Sequence, residues 1–264
     1  MNKNGKIIDD KVVGGIEWLK TVHPDGAESR GVTSNPVGGC LHRCRWQMPD
    51  GSIAECYAKT VAEGVASAAY PHGFETHYWR PEELQKWARV QQPTRIFWDS
   101  MADLFGRWVP ADQVQAVLDA AGAARWHTFL SLTKNAPRLL RFDLPANVWP
   151  GVSSPPDFMW GRRVSRETQT RMLRRMLAVL SKIKGRITWV SFEPLSWDVA
   201  PIVADYPGAL RWAVIGAASN GREKYQPDPA HVQALLDVLD AQGVPVFFKG
   251  NLEWSPWREQ YPDA

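Results

Sequence analysis

From about residue 94 onward, short apolar segments alternate with longer amphipathic ones. The apolar segments predict β-strands at residues 95–99, 127–132, 148–152, 187–192, 212–216 and 244–248. Most are nearly continuous runs of apolar residues, which is typical of parallel strands covered on both faces. Strands that alternate with helical segments indicate repeated βα units and therefore a parallel sheet.

Helical spacing of apolar residues predicts helices at residues 54–69, 110–124, 165–184 and 227–242. One further strand is expected near residues 14–18. Together these elements predict an α/β protein with a complete or partial (β/α) TIM-like barrel of parallel strands. A doubly wound open sheet is the alternative. We expect a single domain over residues 1–264, with an irregular N-terminal region that holds a cysteine loop.

Composition narrows the class of protein further. The chain has 264 residues and a net charge of +3, and none of its apolar runs approaches the roughly 20 residues needed to cross a bilayer. Residues 1–11 are polar and do not resemble a secretory signal, so we expect a cytoplasmic protein. The 14 tryptophans supply either a large core or flat surfaces for stacking on planar ligands.

Polar residues follow the predicted strands, at the point where each strand ends. In parallel α/β folds these ends converge on one mouth, where ligands bind. Glu193, Asp103 and Lys134 are therefore predicted to be catalytic; the alternative is that such polar residues are ordinary loop residues and helix caps. The residues predicted to bind a cofactor are Ser100, Ser153, Ser219 and Lys249.

All three cysteines lie close together in the sequence, at Cys40, Cys44 and Cys56. In a cytoplasm such thiols stay reduced, which favours metal binding over disulfides. A closed zinc site would need a fourth ligand such as His42, whereas an iron–sulfur cluster held by three thiolates would keep one iron open. Unrelated buried thiols are the third interpretation. A Pro-Asp-Gly turn at residues 49–51 predicts a small hairpin that returns Cys56 to the neighbourhood of Cys44.

Several motifs occur in one order between residues 33 and 251. They are SNPVGGC at 34–40, CYA at 56–58, SMADLF at 100–105, LTK at 132–134, GVS at 151–153, SFEPL at 191–195 and FFK at 247–249. This series resembles that of an uncharacterised phage-associated three-cysteine family, itself similar to an outlying branch of the radical S-adenosylmethionine superfamily.

The resemblance implies a (β/α) barrel in which Cys40, Cys44 and Cys56 hold a 4Fe-4S cluster. The open iron would bind S-adenosylmethionine, and a low-potential electron donor would then start the formation of a 5′-deoxyadenosyl radical. The implied protein is an enzyme whose reaction class, whether isomerase, lyase or transferase, stays open. A phage origin would place it in the host cytoplasm.

Charge is unevenly distributed along the chain. Residues 162–186 contain nine basic residues and one acidic residue, Glu167. This segment is either a solvated helix face or a surface that contacts phosphates. Aromatic residues such as Trp46 and Trp160 would stack on bases or pack in the core. We therefore expect a nucleotide or a nucleic-acid base, for example of phage DNA, as substrate; the alternative is a non-catalytic phage nucleic-acid-binding protein with structural zinc.

Overall fold

The predicted apolar segments form one large sheet in the computed structural model, which describes residues 1–23, 25–221 and 223–263. The strands of this sheet, in chain order, are β1 (Asn2–Lys3), β2 (Val32–Ser34), β3 (Arg95–Trp98), β4 (Thr128–Thr133), β5 (Val148–Ser153), β6 (Trp189–Phe192), β7 (Trp212–Ile215) and β8 (Val246–Phe248). All six strands predicted after residue 94 are confirmed, with their ends displaced by no more than two residues.

Strands β2 to β8 are parallel and lie side by side in chain order, while β1 pairs antiparallel with β2. A doubly wound sheet reverses its strand order at a switch point. That alternative is therefore wrong. In the described part of the chain no ladder joins β1 to β8, so the hydrogen-bonded sheet is not closed into a complete barrel. The fold is α/β with a mostly parallel central sheet.

The strand predicted near residues 14–18 is wrong. Gly14 and Gly15 both have φ of +75°, a left-handed backbone that a strand cannot contain. A short 3-10 helix follows at Glu17–Leu19, and it buries Trp18 and Leu19 against the sheet. The first parallel strand is instead β2.

Six α-helices accompany the sheet in the described residues. They are α1 (Tyr57–Glu63), α2 (Glu82–Arg89), α3 (Ala111–Ala123), α4 (Arg166–Leu180), α5 (Ala200–Ala204) and α6 (Pro229–Ala241), with 3-10 turns at Ser67–Ala69 and Ala136–Arg141. The predictions for α3, α4 and α6 are confirmed. The predicted helix at residues 54–69 is only partly right, because Ile53–Glu55 is a strand and α1 ends before Gly64.

The two faces of the sheet are covered in different ways. Ile96 and Trp98 of β3 pack with the helices, whereas Phe97 between them points to the opposite face, as the two-residue period of a strand requires. On that opposite face Trp189 lies 5.0 Å from Trp18 and 5.1 Å from Trp212, measured between ring centroids. Trp189 and Trp212 are the first residues of β6 and β7, so this aromatic group fills the face at its amino end and leaves space at the carboxyl end.

Small hairpins surround the sheet. The insertion hairpin, Arg45–Gln47 with Ile53–Glu55, joins the Trp160 hairpin, Phe158–Met159 with Arg162–Arg163, in a four-stranded antiparallel sheet. The Tyr225 hairpin comprises Ala218–Asn220 and Glu223–Tyr225. The remaining pairs are Lys6–Ile8 with Lys11–Val13, Thr21–Val22 with Glu28–Ser29, and Val37–Gly38 with Tyr78–Trp79.

A buried charge cluster joins the N-terminal hairpins. Lys20 Nζ donates to Glu28 Oε1 at 2.9 Å, and the Val12 N–H donates to Glu28 Oε2 at 2.7 Å. Burial alone would raise the pKa of Glu28, but the Val12 N–H and the Lys20 ammonium hold it below its usual range. Since the pKa is depressed in the folded state, the carboxylate stabilises the fold above its unfolded pKa of about 4.3 and loses this effect at lower pH.

We therefore expect Glu28→Gln to lower the free energy of unfolding at pH 7 by about 1.5–3 kcal/mol, as for other hydrogen bonds to charged groups. Urea unfolding at a series of pH values measures it. The difference from wild type should shrink as the pH falls below about 4 through the lowered folded pKa. The exposed Glu253→Gln is the control. An equal loss at all pH values would contradict the assignment.

Candidate active site

A cavity of about 560 Å³ lies at the carboxyl ends of the parallel strands. It occupies the space that the tryptophans of the opposite face leave open. Its lining includes all ten candidate residues, namely Cys40, Cys44, Cys56, Ser100, Asp103, Lys134, Ser153, Glu193, Ser219 and Lys249. The seven residues other than the cysteines are brought together because each of them follows or ends a strand of the sheet.

The loop that carries Cys40 is fixed by backbone contacts. The Gly39 N–H donates to the Met101 carbonyl at 3.1 Å, and the Cys40 N–H donates to the Phe74 carbonyl at 3.0 Å. Gly39 has φ of +78°, and a Cβ atom there would lie only 1.8 Å from the carbonyl oxygen of Thr76. Only glycine fits this position, which allows the loop to approach the neighbouring segment so closely.

The insertion hairpin brings the second and third cysteines back together, as the Pro-Asp-Gly turn predicts. Its register pairs Arg45 with Glu55, so Cys44 and Cys56 stand directly outside the first pair of the ladder. At the tip, Gly51 has φ of +86°. Helix α1 begins immediately after Cys56. The eleven residues between the two cysteines therefore do not separate them in space.

The three thiols are free and line the same cavity. Burial raises the pKa of Cys44 to about 12, and burial together with Asp103 raises that of Cys40. In the described residues, no group of three or more Cys, His, Asp or Glu side chains is arranged to hold a single metal ion. In an iron–sulfur cluster each thiolate binds a different iron, which sets the sulfur atoms farther apart than around one ion. Three thiols lining one cavity suit such a cluster.

His42, the fourth ligand considered for zinc, has another partner. Its Nε2 lies 2.7 Å from Asp103 Oδ2, and both side chains are buried. The ring packs edge-on against Trp108 with centroids 4.8 Å apart. This contact holds the middle of the cysteine loop, since His42 lies two residues from Cys40 and from Cys44.

The Asp103 carboxylate accepts four hydrogen bonds. Besides His42, the Thr133 hydroxyl and the Lys134 N–H donate to Oδ2, each at 3.0 Å, and the Phe105 N–H donates to Oδ1 at 3.0 Å. Burial alone would raise the pKa of Asp103, but His42 and these donors hold it below its usual range. Asp103 is thus an ionised group that joins the cysteine loop to the end of β4.

Lys134 places a positive charge beside the thiols. Its Nζ lies 5.9 Å from the centroid of the Trp46 ring. Burial alone would lower the pKa of Lys134, but the neighbouring Cys44, Cys56 and Cys40 and Asp103 raise it. A cation in this position reduces the electrostatic cost of collecting negative sulfur ligands in a buried place.

Glu193 and Lys249 form an ion pair on the far side of the cavity, across β6 and β8. Burial alone would lower the pKa of Lys249, but Glu193 raises it. Gly216 makes room for the pair, because a Cβ atom there would lie 3.2 Å from the Lys249 side chain and 3.3 Å from that of Glu193. The pair offers an acceptor and a donor side by side, which suits a ligand with an amino and a carboxylate group.

The three candidate serines occupy different positions on the rim. Ser100 Oγ donates to Asn35 Oδ1 at 3.2 Å, and Ser219 Oγ accepts from Asn251 Nδ2 at 3.0 Å. Ser153 ends β5, where its Cα pairs with that of Ser191. All three remain within reach of a ligand in the cavity.

The structure draws attention to Asp99, a polar residue at a strand end to which the sequence analysis assigned no catalytic or cofactor-binding role. Asp99 lines the cavity, is 4% exposed and has φ of +53°, which is uncommon for a residue other than glycine. Its Oδ1 accepts from the Val37 N–H at 2.8 Å, while Oδ2 has no partner among the described residues. Burial raises the pKa of Asp99 well above its usual range. The signal in the sequence that could have identified Asp99 as a site residue was its position directly after β3.

In the described part of the chain, no helix is long and apolar enough to span a membrane. No curated protein matches the sequence at a significant level.

A substitution variant of spore photoproduct lyase matches the fold with a TM-score of 0.51 at 12% identity, covering 89% of this chain and 80% of that one.

Two other solved structures are also similar in fold. The complex of spore photoproduct lyase with dinucleoside spore photoproduct has a TM-score of 0.49 at 13% identity, over 90% of this chain and 82% of that one. A radical SAM methyltransferase from Sphaerobacter thermophilus has a TM-score of 0.41 at 16% identity, over 87% and 68%.

The sequence itself matches one family model over residues 24–262, which is nearly the whole chain. The described motifs, from the cysteine loop to Lys249, all fall inside this match. The protein therefore belongs to the family described as protein of unknown function DUF5131.

Proposed function

We propose that this protein is an iron–sulfur enzyme of the radical S-adenosylmethionine type. The observation that carries the proposal is the convergence of Cys40, Cys44 and Cys56 on one cavity at the carboxyl ends of the strands. Three thiolates leave one iron of a 4Fe-4S cluster without a protein ligand. The fold shared with spore photoproduct lyase supports the same class of protein.

The rest of the cavity fits the second cofactor. The ion pair of Glu193 and Lys249 faces the space beside the thiols, and we assign to it the amino and carboxylate groups of S-adenosylmethionine. Ser100, Ser153 and Ser219 add hydroxyl groups on the rim. When bound, the cluster and S-adenosylmethionine together supply a carbon-centred radical that takes a hydrogen atom from the substrate.

The chain's own residues restrict what else can enter. The tryptophans at the amino end of the cavity, among them Trp18, close it from below, and the insertion hairpin covers it from the side of Trp46. The hydroxyl of Tyr225, in the Tyr225 hairpin, donates to Asp50 Oδ2 of the insertion hairpin at 2.7 Å. In such chemistry the protein both positions the reacting groups and excludes water and stray reductants.

For the substrate we propose a nucleotide or a nucleic-acid base, with phage DNA as the target that the family resemblance suggests. The basic segment at residues 162–186 and the aromatic lining of the cavity support this class. A low-potential electron donor completes the set of partners. The reaction class, whether isomerase, lyase or transferase, is left open by these features.

Anaerobic reconstitution with iron and sulfide tests the cluster. We expect a brown protein with broad absorbance in the visible range, which after reduction with dithionite forms 5′-deoxyadenosine from S-adenosylmethionine. Cys40→Ala, Cys44→Ala and Cys56→Ala should each lose the colour and most of the iron, because each removes one of three ligands. Ser52→Ala at the tip of the insertion hairpin is the matched control.

Two outcomes would contradict the proposal. One is a colourless protein that contains stoichiometric zinc, which would favour the non-catalytic nucleic-acid-binding alternative. The other is a brown protein that forms no 5′-deoxyadenosine under these conditions, which would reduce the role of the cluster to structure.

Asp103 is assigned a positioning role rather than contact with the substrate, because its oxygens are already engaged. Asp103→Ala should lower the free energy of unfolding by about 3–5 kcal/mol, because it leaves several buried donors without an acceptor, each at a cost of about 1–3 kcal/mol. It should also reduce the iron retained after reconstitution. Urea unfolding and iron analysis measure the two effects.

The exposed Asp143→Ala serves as the control and should change the stability by no more than about 0.5 kcal/mol. If Asp103→Ala unfolds like wild type and retains its iron but forms no 5′-deoxyadenosine, Asp103 acts directly in catalysis and the positioning role is wrong.

A further inference from the structure

A second cavity adjoins the central one. Its volume is about 160 Å³, and the two cavities share His42 and Lys134 in their walls. Two tryptophans, Trp108 and Trp160, and two arginines, Arg107 and Arg175, contribute to its lining. No acidic residue is among the described residues that line it. The cavity therefore combines flat aromatic surfaces with positive charge.

Trp160 occupies a turn position that suits other residues better. It forms the two-residue turn of its hairpin with Gly161, with φ values of +54° and +75°. Such turns need positive φ at both central residues and usually contain Asn, Asp or Gly. A bulky residue there is an outlier, and outliers of this kind concentrate at functional sites. The indole ring remains 47% exposed at the cavity, while its backbone N–H donates to the His42 carbonyl at 2.6 Å.

The two arginines have no partner of their own in the described structure. Arg107 and Arg175 are exposed, and neither forms a hydrogen bond or an ion pair with a described residue. By contrast Arg174, the neighbour of Arg175 on α4, forms an ion pair with Asp205 at 2.6 Å. The basic segment thus contains one arginine that is both directed to this cavity and free to bind an anion.

Two ring nitrogens beside the cavity also lack partners. His42 Nδ1 and Trp108 Nε1 are buried without a hydrogen bond among the described residues. The indole N–H of Trp108 is a hydrogen-bond donor. The wall of the cavity thus contains two ring nitrogens whose hydrogen-bonding capacity no described residue uses.

We propose that this second cavity binds one nucleotide unit, with the base stacked on Trp160 and the phosphate held by Arg107 and Arg175. The inference deepens the proposed function, on which it rests for calling this unit part of the substrate. A volume of about 160 Å³ is below the roughly 300–1,000 Å³ of sites that enclose whole small molecules, so the cavity encloses only the base and the phosphate lies at the exposed Arg107 and Arg175. Lys134, in the common wall, places this unit next to the central cavity.

Fluorescence anisotropy with a short fluorescein-labelled single-stranded oligothymidylate tests the site. Trp160→Ala should raise the Kd about 5- to 150-fold, the range for losing one stacked base, whereas Trp160→Phe should stay close to wild type. Arg175→Gln should reduce the slope of log Kd against log salt concentration by about 0.7, as expected for the loss of one phosphate contact with a single strand.

Matched controls are present in the chain. Trp257 is 46% exposed and lies outside the cavity, and Arg174 neighbours Arg175 on the same helix. Trp257→Ala and Arg174→Gln should bind like wild type. If they weaken binding as much as the changes at Trp160 and Arg175, or if none of the variants weakens it, the site is wrong. Circular dichroism confirms that each variant is folded.

Two further probes identify the source of the nucleotide unit. Competition by thymidine monophosphate at concentrations near the oligonucleotide's Kd would support a free nucleotide, and its failure to compete would support a strand. In an abasic strand of equal length, Trp160→Ala should no longer alter the affinity, because no base is left to stack. An unchanged effect of Trp160→Ala on the abasic strand would overturn the stacking role.

These measurements need neither cluster nor S-adenosylmethionine, so they separate the two proposals. A protein that fails to form 5′-deoxyadenosine but binds the strand through Trp160 and Arg175 would contradict the proposed function and leave the nucleotide site in place. An active protein whose binding is indifferent to both residues would overturn the nucleotide site alone.

Discussion

The buried contact between Asp103 and His42 is the constraint on which the arrangement of the cavity depends. A carboxylate removed from water must be compensated by hydrogen bonds, and here the cysteine loop and the end of β4 supply them. His42 stands midway between Cys40 and Cys44. Fixing its ring therefore fixes the height of the loop above the sheet, and the same ring forms the wall between the two cavities.

Much of the central sheet is predictable because parallel strands buried on both faces leave a simple pattern of apolar runs. The gathering of candidate residues is predictable for the same reason. Lys134, Glu193 and Lys249 are far apart in the sequence, but each follows a strand, and the carboxyl ends of parallel strands meet. The return of Cys56 to Cys44 follows from turn chemistry alone, through Gly51 and its positive φ.

Other features depend on tertiary contacts that no local pattern reveals. Helix α2 was missed because its apolar side consists of little more than Leu84 and Trp87, and the burial of Trp87 against the sheet stabilises it. The division of the tryptophans is equally hidden. Trp189 is buried against the sheet, whereas Trp160 is largely exposed to solvent. Their positions in the backbone, and not the residue type, set this difference. The unpaired oxygen of Asp99 likewise appears only once its neighbours are placed.

The insertion hairpin has a consequence for how this protein can vary. Its two strands start and finish beside the cysteines, and a β-ladder repeats every two residues. Residues added in pairs near Asp50 would lengthen the arm without displacing the sulfur atoms at its base. Natural relatives with a longer arm would then have a differently shaped entrance to the cavity, and would admit molecules of a different size, while the three cysteines stayed in place.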